Sequence, residues 1–228
     1  GLDCQKSAAT QISLHAVRLD TFEVMEKYQA YIYPYNKKEN PDKPKKKTLK
    51  SKYETEECEL MEYGQKALEY SAITMDMLYS MGKPIEIVCR EICDFIERNT
   101  MPVVASNKPF MIGHNPLMIY SGLWNEFTKL VRGNKDFWGN FQPANLDTII
   151  LSQLAFDNDK SVNTWKLEAM AEKFGIDLDD AHDADADVTA TREVVRTVTA
   201  RIRNSNGDQE VGSLAAEKRE KLRDHFKI

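Results

Sequence analysis

Apolar positions along the chain change period several times, and each change marks an element. QISLHAVRLD alternates, with Ile12, Leu14 and Ala16 on one face. KYQAYIYPY does the same with Tyr28, Ala30 and Ile32, so the two segments predict neighbouring strands of a hairpin. From Tyr63 to Glu97 the period becomes helical. SAITMDMLYSMG predicts a short amphipathic helix stopped at Gly82, and PIEIVCREICDFIERN stacks Ile85, Val88, Ile92, Phe95 and Ile96 on one face of a second. KPFMIGHN predicts a short buried strand ending in a turn. MIYSGLWNEFTKLV predicts a helix with Leu123, Phe127 and Leu130 on one stripe, and NLDTIILSQLAF a strand or a helix start. WKLEAMAEKFGI carries Leu167, Met170, Ala171 and Phe174 at helical spacing with Gly175 as its stop. Val188 to Arg203 repeats that spacing through Val188, Thr191, Val195, Val198 and Ile202. Strands first and alternating helices after predict an α/β sandwich with a mixed sheet.

Two segments break the pattern. Residues 37–52 carry eight lysines against Glu39 and Asp42, with Pro41 and Pro44 among them, and residues 54–62 reverse the sign with five glutamates. No strand or helix interior accepts the first run, so about 36–62 reads as a charged insertion: a solvated excursion, or a local nucleic-acid contact through the lysines. The end, SLAAEKREKLRDHFKI, has high helix propensity and a thin apolar stripe, which predicts a peripheral helix or a partner-binding appendage at 204–228.

At 228 residues the chain is long enough for one α/β domain with a substantial core. The net charge of −5 excludes nucleic-acid binding by overall charge, so any such contact is local. No apolar run is long enough to span a bilayer and no secretory signal opens the chain; the expectation is a soluble, cytoplasmic protein. Cys4, Cys58, Cys89 and Cys93 form no CxxC pair, and Cys89 and Cys93, four apart in a helical pattern, read as reduced core neighbours.

Chemistry concentrates in AHDADADVTATREVV, where His182 stands five residues before Asp187. Five steps place two side chains about 140° apart on a continuous helix, so they converge only if His182 lies in a loop before the helix that carries Asp187. A carboxylate on that first turn would have its pKa lowered by the helix dipole, which suits a metal ligand, and a neutral imidazole beside metal-bound water suits a general base. The other reading of Asp179, Asp180, Asp183, Asp185 and Asp187 is an acidic capping loop. IGHN, with His114 and Asn115, is a second candidate and equally a plain turn.

In order and in the text between them, these clusters resemble the DnaQ-like exonucleases of the DEDDh type, which have a ribonuclease H-like fold. His182, Ala184, Asp187, Ala190 and Thr191 match the third family motif, HxAxxDxxAT; IGHN resembles the start of the second; Gly1 and Leu2 resemble the end of the first, DxETTGL. ALEYSAITMDMLYSMGKPIEIVCREICDFI and the WKLEAMAEKFGI helix are also similar to family segments. The resemblance covers most of residues 1–203, taken as an exonuclease-like domain. It implies a ribonuclease H-like mixed sheet flanked by helices, with the first strand and the first-motif acidic pair expected just upstream of Gly1. It further implies 3′–5′ exonuclease activity on single-stranded DNA or RNA ends, two divalent ions (Mg2+ or Mn2+), and an association with a polymerase or replication complex. By residue it implies His182 as general base, Asp187 as metal ligand, and Gly1, Leu2, His114 and Asn115 against the substrate. Where the second motif places an Asp this chain has Ile119. The alternative from another class is therefore a catalytically inactive exonuclease-fold protein that binds nucleic acid or serves assembly.

Overall fold

The computed structural model describes residues 7–36, 59–100, 108–116, 141–142, 144–178 and 181–204. The predicted helix around Leu123, the lysine run, the C-terminal tail, Gly1, Leu2, Cys4, Cys58 and Ile119 lie outside the described residues.

The alternating segments form the predicted hairpin. Strand β1 (Gln11–Val17) pairs antiparallel with β2 (Val24–Tyr31), Ile12 opposite Ala30 and Leu14 opposite Tyr28, with an irregularity between Ala16 and Val17. The residues on either side of the charged run meet. Asn36 bridges Leu60, and the Met61 amide donates to the Tyr35 carbonyl at 3.1 Å. Helices α1 (Gln65–Tyr70), α2 (Met75–Met81) and α3 (Ile85–Arg98) follow. The Thr74 hydroxyl caps α2 by accepting from the Met77 amide, and Pro84 precedes the first residue of α3, where its missing N–H costs nothing.

Every residue of the predicted α3 stripe is buried. Val88, Cys89, Ile92, Phe95 and Ile96 pack with Ile12, Ala30 and Ile32 of the hairpin segment and with Met111, forming one core. Fully burying a side chain such as Val88 or Ile32 contributes roughly 1.5–3 kcal/mol. Cys89 and Cys93 are both buried inside this helix.

Strand β3 (Met111–Gly113) pairs in parallel with β4 (Asn145–Asp147), and helix α4 (Thr148–Phe156) starts directly from β4. NLDTIILSQLAF is thus both strand and helix. Asp147 makes the switch possible by accepting the Ile149 amide at its Oδ1. Helix α5 (Leu167–Phe174) ends at Gly175, whose φ of 69° is the left-handed cap. Helix α6 (Ala184–Asn204) begins one turn earlier than the apolar period shows, because Asp183 caps it: Asp183 Oδ1 accepts the amides of Asp185 and Ala186 at 2.9 and 3.2 Å. A second core joins α5 and α6 through Met170, Phe174, Val194 and Val198. Ile202, assigned above to the buried stripe, is 66% exposed, while Val194 is fully buried.

The α/β class holds, with helices against strands of both orientations. Among the described residues the strands form two ladders, β1-β2 and β3-β4, rather than one continuous mixed sheet. Helix α6 packs against β1 and β3 alike and so ties the ladders together. No helix among the described residues is long and apolar enough to cross a membrane.

Candidate functional site

Where α6 begins, the chain makes the turn that the spacing of His182 and Asp187 requires. His182 lies in the loop, with a left-handed φ of 79° that a residue with a side chain adopts only under constraint. Part of the constraint is visible: the His182 amide donates to Asp187 Oδ1 at 3.3 Å. The two residues therefore converge across five positions, as a loop-then-helix arrangement allows. The His182 ring, its side chain 46% exposed, has Nε2 3.6 Å from Glu168 Oε1 on the first turn of α5. It also meets the edge of the Tyr70 ring, centroids 5.6 Å apart and planes at 67°. Tyr70 closes α1 and is 71% exposed.

Asp187 departs from the sequence expectation. Its pKa is raised, not lowered. Burial is the main cause and outweighs the hydrogen bond and charge of His182; the carboxylates of Glu168 and Asp183 push in the same direction as burial. The helix dipole does not prevail because the side chain is withdrawn from water among like charges. The capping-loop reading also holds in part, since Asp183 is the cap and Asp187 is not.

His114 follows β3 with both ring nitrogens engaged, Nδ1 with Thr148 Oγ1 and Nε2 with the Trp165 carbonyl, each at 2.8 Å. The carbonyl can only accept, so Nε2 carries the proton and Nδ1 accepts from the Thr148 hydroxyl. Burial lowers the His114 pKa against the opposing pull of that carbonyl and of Asp147, Glu168 and Asp187, so the ring is neutral in this environment. Asn115 adopts a left-handed φ of 60°, which asparagine tolerates, and its amide donates to Asp147 Oδ1 at 3.0 Å. The IGHN turn is thereby bolted to β4 and to the approach to α5.

The structure thus gathers His182, Asp187, Glu168, Asp183 and Tyr70 at one turn, with His114 within their electrostatic reach. Gly1 and Leu2 lie outside the described residues. Glu168 and Tyr70 escaped sequence reasoning. Glu168 occupies an ordinary polar position of an amphipathic helix, and Tyr70 sits at the end of a helix of only six residues, too short for its periodicity to be read. Among the described residues no three His, Cys, Asp or Glu side chains are grouped so as to hold a metal ion. Asp187 alone does not make such a site, and its like-charged neighbours do not complete one.

No family model matches the chain, and no curated protein matches it. Solved structures do. The chain is similar to E. coli exonuclease I in a zinc-bound complex with single-stranded DNA, with a TM-score of 0.59 and 17% identity over 90% of this chain and 39% of that one. It is similar to E. coli exonuclease I in complex with a dT13 oligonucleotide to the same degree, over 94% of this chain and 43% of that one. A further structure of exonuclease I, one interpreted in terms of processivity, gives a TM-score of 0.57. The chain spans about two fifths of the length of these chains. The likeness establishes the fold, which is the ribonuclease H-like α/β fold of exonuclease I.

Proposed function

We propose that this chain carries part of the catalytic site of a 3′–5′ exonuclease acting on single-stranded DNA. The observation that carries the reading is the turn before α6: in a fold shared with DNA-bound exonuclease structures, the His182 amide meets the helix-borne Asp187 carboxylate at 3.3 Å while the half-exposed His182 ring stands 3.6 Å from Glu168. In this reading His182 removes a proton from the attacking water, a step worth about 10²–10⁴-fold in rate. Asp187 would be one ligand of a divalent ion. Such ions stabilise charge on a phosphate and a leaving oxygen, and their remaining ligands would have to come from outside the described residues. His114 and Asn115 hold the loop that borders the substrate, through Thr148, Trp165 and Asp147, instead of reaching for it with the ring. The exposed Tyr70 ring beside His182 offers a face on which a base of the single strand stacks.

Metal-free binding tests this. A 5′-labelled dT oligonucleotide with a free 3′ hydroxyl is expected to bind more tightly than the same strand with its 3′ end closed in a hairpin. Tyr70→Ala should weaken the free-end complex by about 1–3 kcal/mol, the usual worth of one base–aromatic stack. Equal affinity for both strands, indifferent to Tyr70, would refute the reading.

A further inference from the structure

Strand β1 shows Ile12, Leu14 and Ala16 to the core and turns Gln11, Ser13 and His15 toward the first turn of α6. The contacts there are specific. Asp185 Oδ1 accepts from Ser13 Oγ at 2.9 Å and from His15 Nε2 at 2.7 Å, while Lys27 Nζ of β2 reaches Asp185 Oδ2 at 3.1 Å. Two residues earlier on both elements, Gln11 grips the same helix end. Its Nε2 donates to Asp183 Oδ2 at 2.8 Å, and its Oε1 accepts the Ala184 amide at 3.3 Å. The His15 side chain is 1% exposed and Ser13 is buried, whereas the Asp185 and Lys27 side chains are 29% and 49% exposed, so the network is sealed on its β1 side and reaches water at Asp185 and Lys27.

Adhesion between helix and strand alone does not call for such a network. Replacing a buried charged pair by apolar side chains of similar volume is commonly neutral or stabilising. An apolar contact slides and rotates at little cost, whereas three donors aimed at one carboxylate define a single height and rotation of the helix end. Two residues further along the same turn stands Asp187, which receives the His182 amide.

We propose that Asp185 is a positioning residue: bound by Ser13, His15 and Lys27, it fixes the first turn of α6 against the β1-β2 hairpin, so that Asp187 meets the His182 amide and the His182 ring stands beside Glu168 and Tyr70. The role rests on the reading of that turn as the nuclease site.

NMR on the 228-residue chain tests it without any metal. In Asp185→Ala the His182 amide should exchange about tenfold faster, as expected when one hydrogen bond to a charged acceptor is lost. Ring contacts between His182 and Tyr70 should weaken, while Val194 and Val198 amides keep their protection. Asp185→Asn keeps one oxygen that can still accept from Ser13 and His15 but sets its NH2 group against Lys27, and should recover part of the loss. An unchanged His182 amide and ring, or equal loss of protection along all of α6, would overturn the proposal, the second because the network then only stabilises. If Asp185→Ala does not fold, Ser13→Ala and Lys27→Met each remove one donor and are read the same way. A dT oligonucleotide separates the two ideas. His182 and Tyr70 signals that ignore it in the wild type, with the Asp185 effect intact, would defeat the nuclease reading and leave the positioning role. Signals that respond to it, with no Asp185 effect, would do the reverse.

Discussion

Asp187 is kept where its own charge is costly. Burial and the carboxylates of Glu168 and Asp183 raise its pKa, so the ionised form is disfavoured by the fold. A group with a raised folded-state pKa favours the fold when protonated and opposes it when ionised. Asp187→Asn retains an oxygen to accept the His182 amide and removes the charge. It is expected to stabilise the chain at pH 7 by up to about 1–2 kcal/mol, the scale usual when a functional residue is relieved, and to abolish any contribution to ion binding. Calorimetric melting of the two proteins checks this; a lower melting temperature for Asp187→Asn would remove that argument. Two glycines show how one residue type serves different needs. Gly175 has a left-handed φ and open space around it, so Gly175→Ala should cost about 1–2 kcal/mol of backbone strain. Gly82 has an ordinary φ of −69°, but an added Cβ would lie 2.6 Å from the Tyr33 amide nitrogen and against the Leu78 carbonyl. Backbone cannot step aside as a side chain does, so Gly82→Ala should cost more, about 3 kcal/mol or above. Denaturant midpoints for the pair give the order directly.

Elements with a single dominant face are legible in the amino-acid pattern. The hairpin alternates cleanly and α3 has one unbroken stripe, so period alone locates Ile12, Ala30, Val88 and Ile92 in a core. Helix α4 is not legible, because its polarity is inverted: Thr148 and Ser152 are buried, while Ile150 and Leu154 are 56% and 76% exposed. Their hydroxyls are satisfied locally, Ser152 by the Thr148 carbonyl and Thr148 by His114 Nδ1, a pairing that hydropathy does not register. The first turn of α6 is hidden for a related reason. Its partners are polar residues of β1, 172 positions away, and only tertiary structure brings Gln11 and Ser13 to Asp183 and Asp185. These joints between elements make stability depend on pH. His15 is depressed by burial, which exceeds the pull of Asp185, and His114 is depressed by burial against the Trp165 carbonyl. Both are neutral in the fold, whereas in the unfolded chain they titrate near 6.5, the ordinary value for histidine. The unfolded state therefore binds more protons below that pH. Stability is complete above about pH 6.5 and falls as pH drops beneath it, by at most about 1.4 kcal/mol per pH unit for each histidine. Urea unfolding between pH 7.5 and 5 should show the decline, and a flat profile would mean that the two rings are not held neutral.

At the scale of the molecule, α6 is the member that touches everything: both ladders, the α5 core and the candidate site at its first turn. The site thus lies at the joint between the β1-β2 unit and the β3-β4 unit, and its chemistry needs contributions from several segments at once. The described residues supply an imidazole and a helix-borne carboxylate with acidic neighbours, and no three-ligand group. Two hard cations demand several carboxylates together with substrate phosphate. Residues 1–228 by themselves are accordingly expected to release no appreciable nucleotide from a labelled single strand with Mg2+ or Mn2+. A version with an acidic pair placed on a strand ahead of Gly1, as the resemblance implies, and with Ile119→Asp at the position of the second-motif carboxylate, is expected to gain metal-dependent release from the 3′ end. Adding His182→Ala to that version should lower turnover about 10²–10⁴-fold while leaving oligonucleotide affinity in place, because a proton acceptor acts in the transition state and not in binding. Robust release by the 228-residue chain alone would show that its own carboxylates suffice and that the ligand assignment is wrong; release indifferent to His182 in the extended version would instead strike at the base.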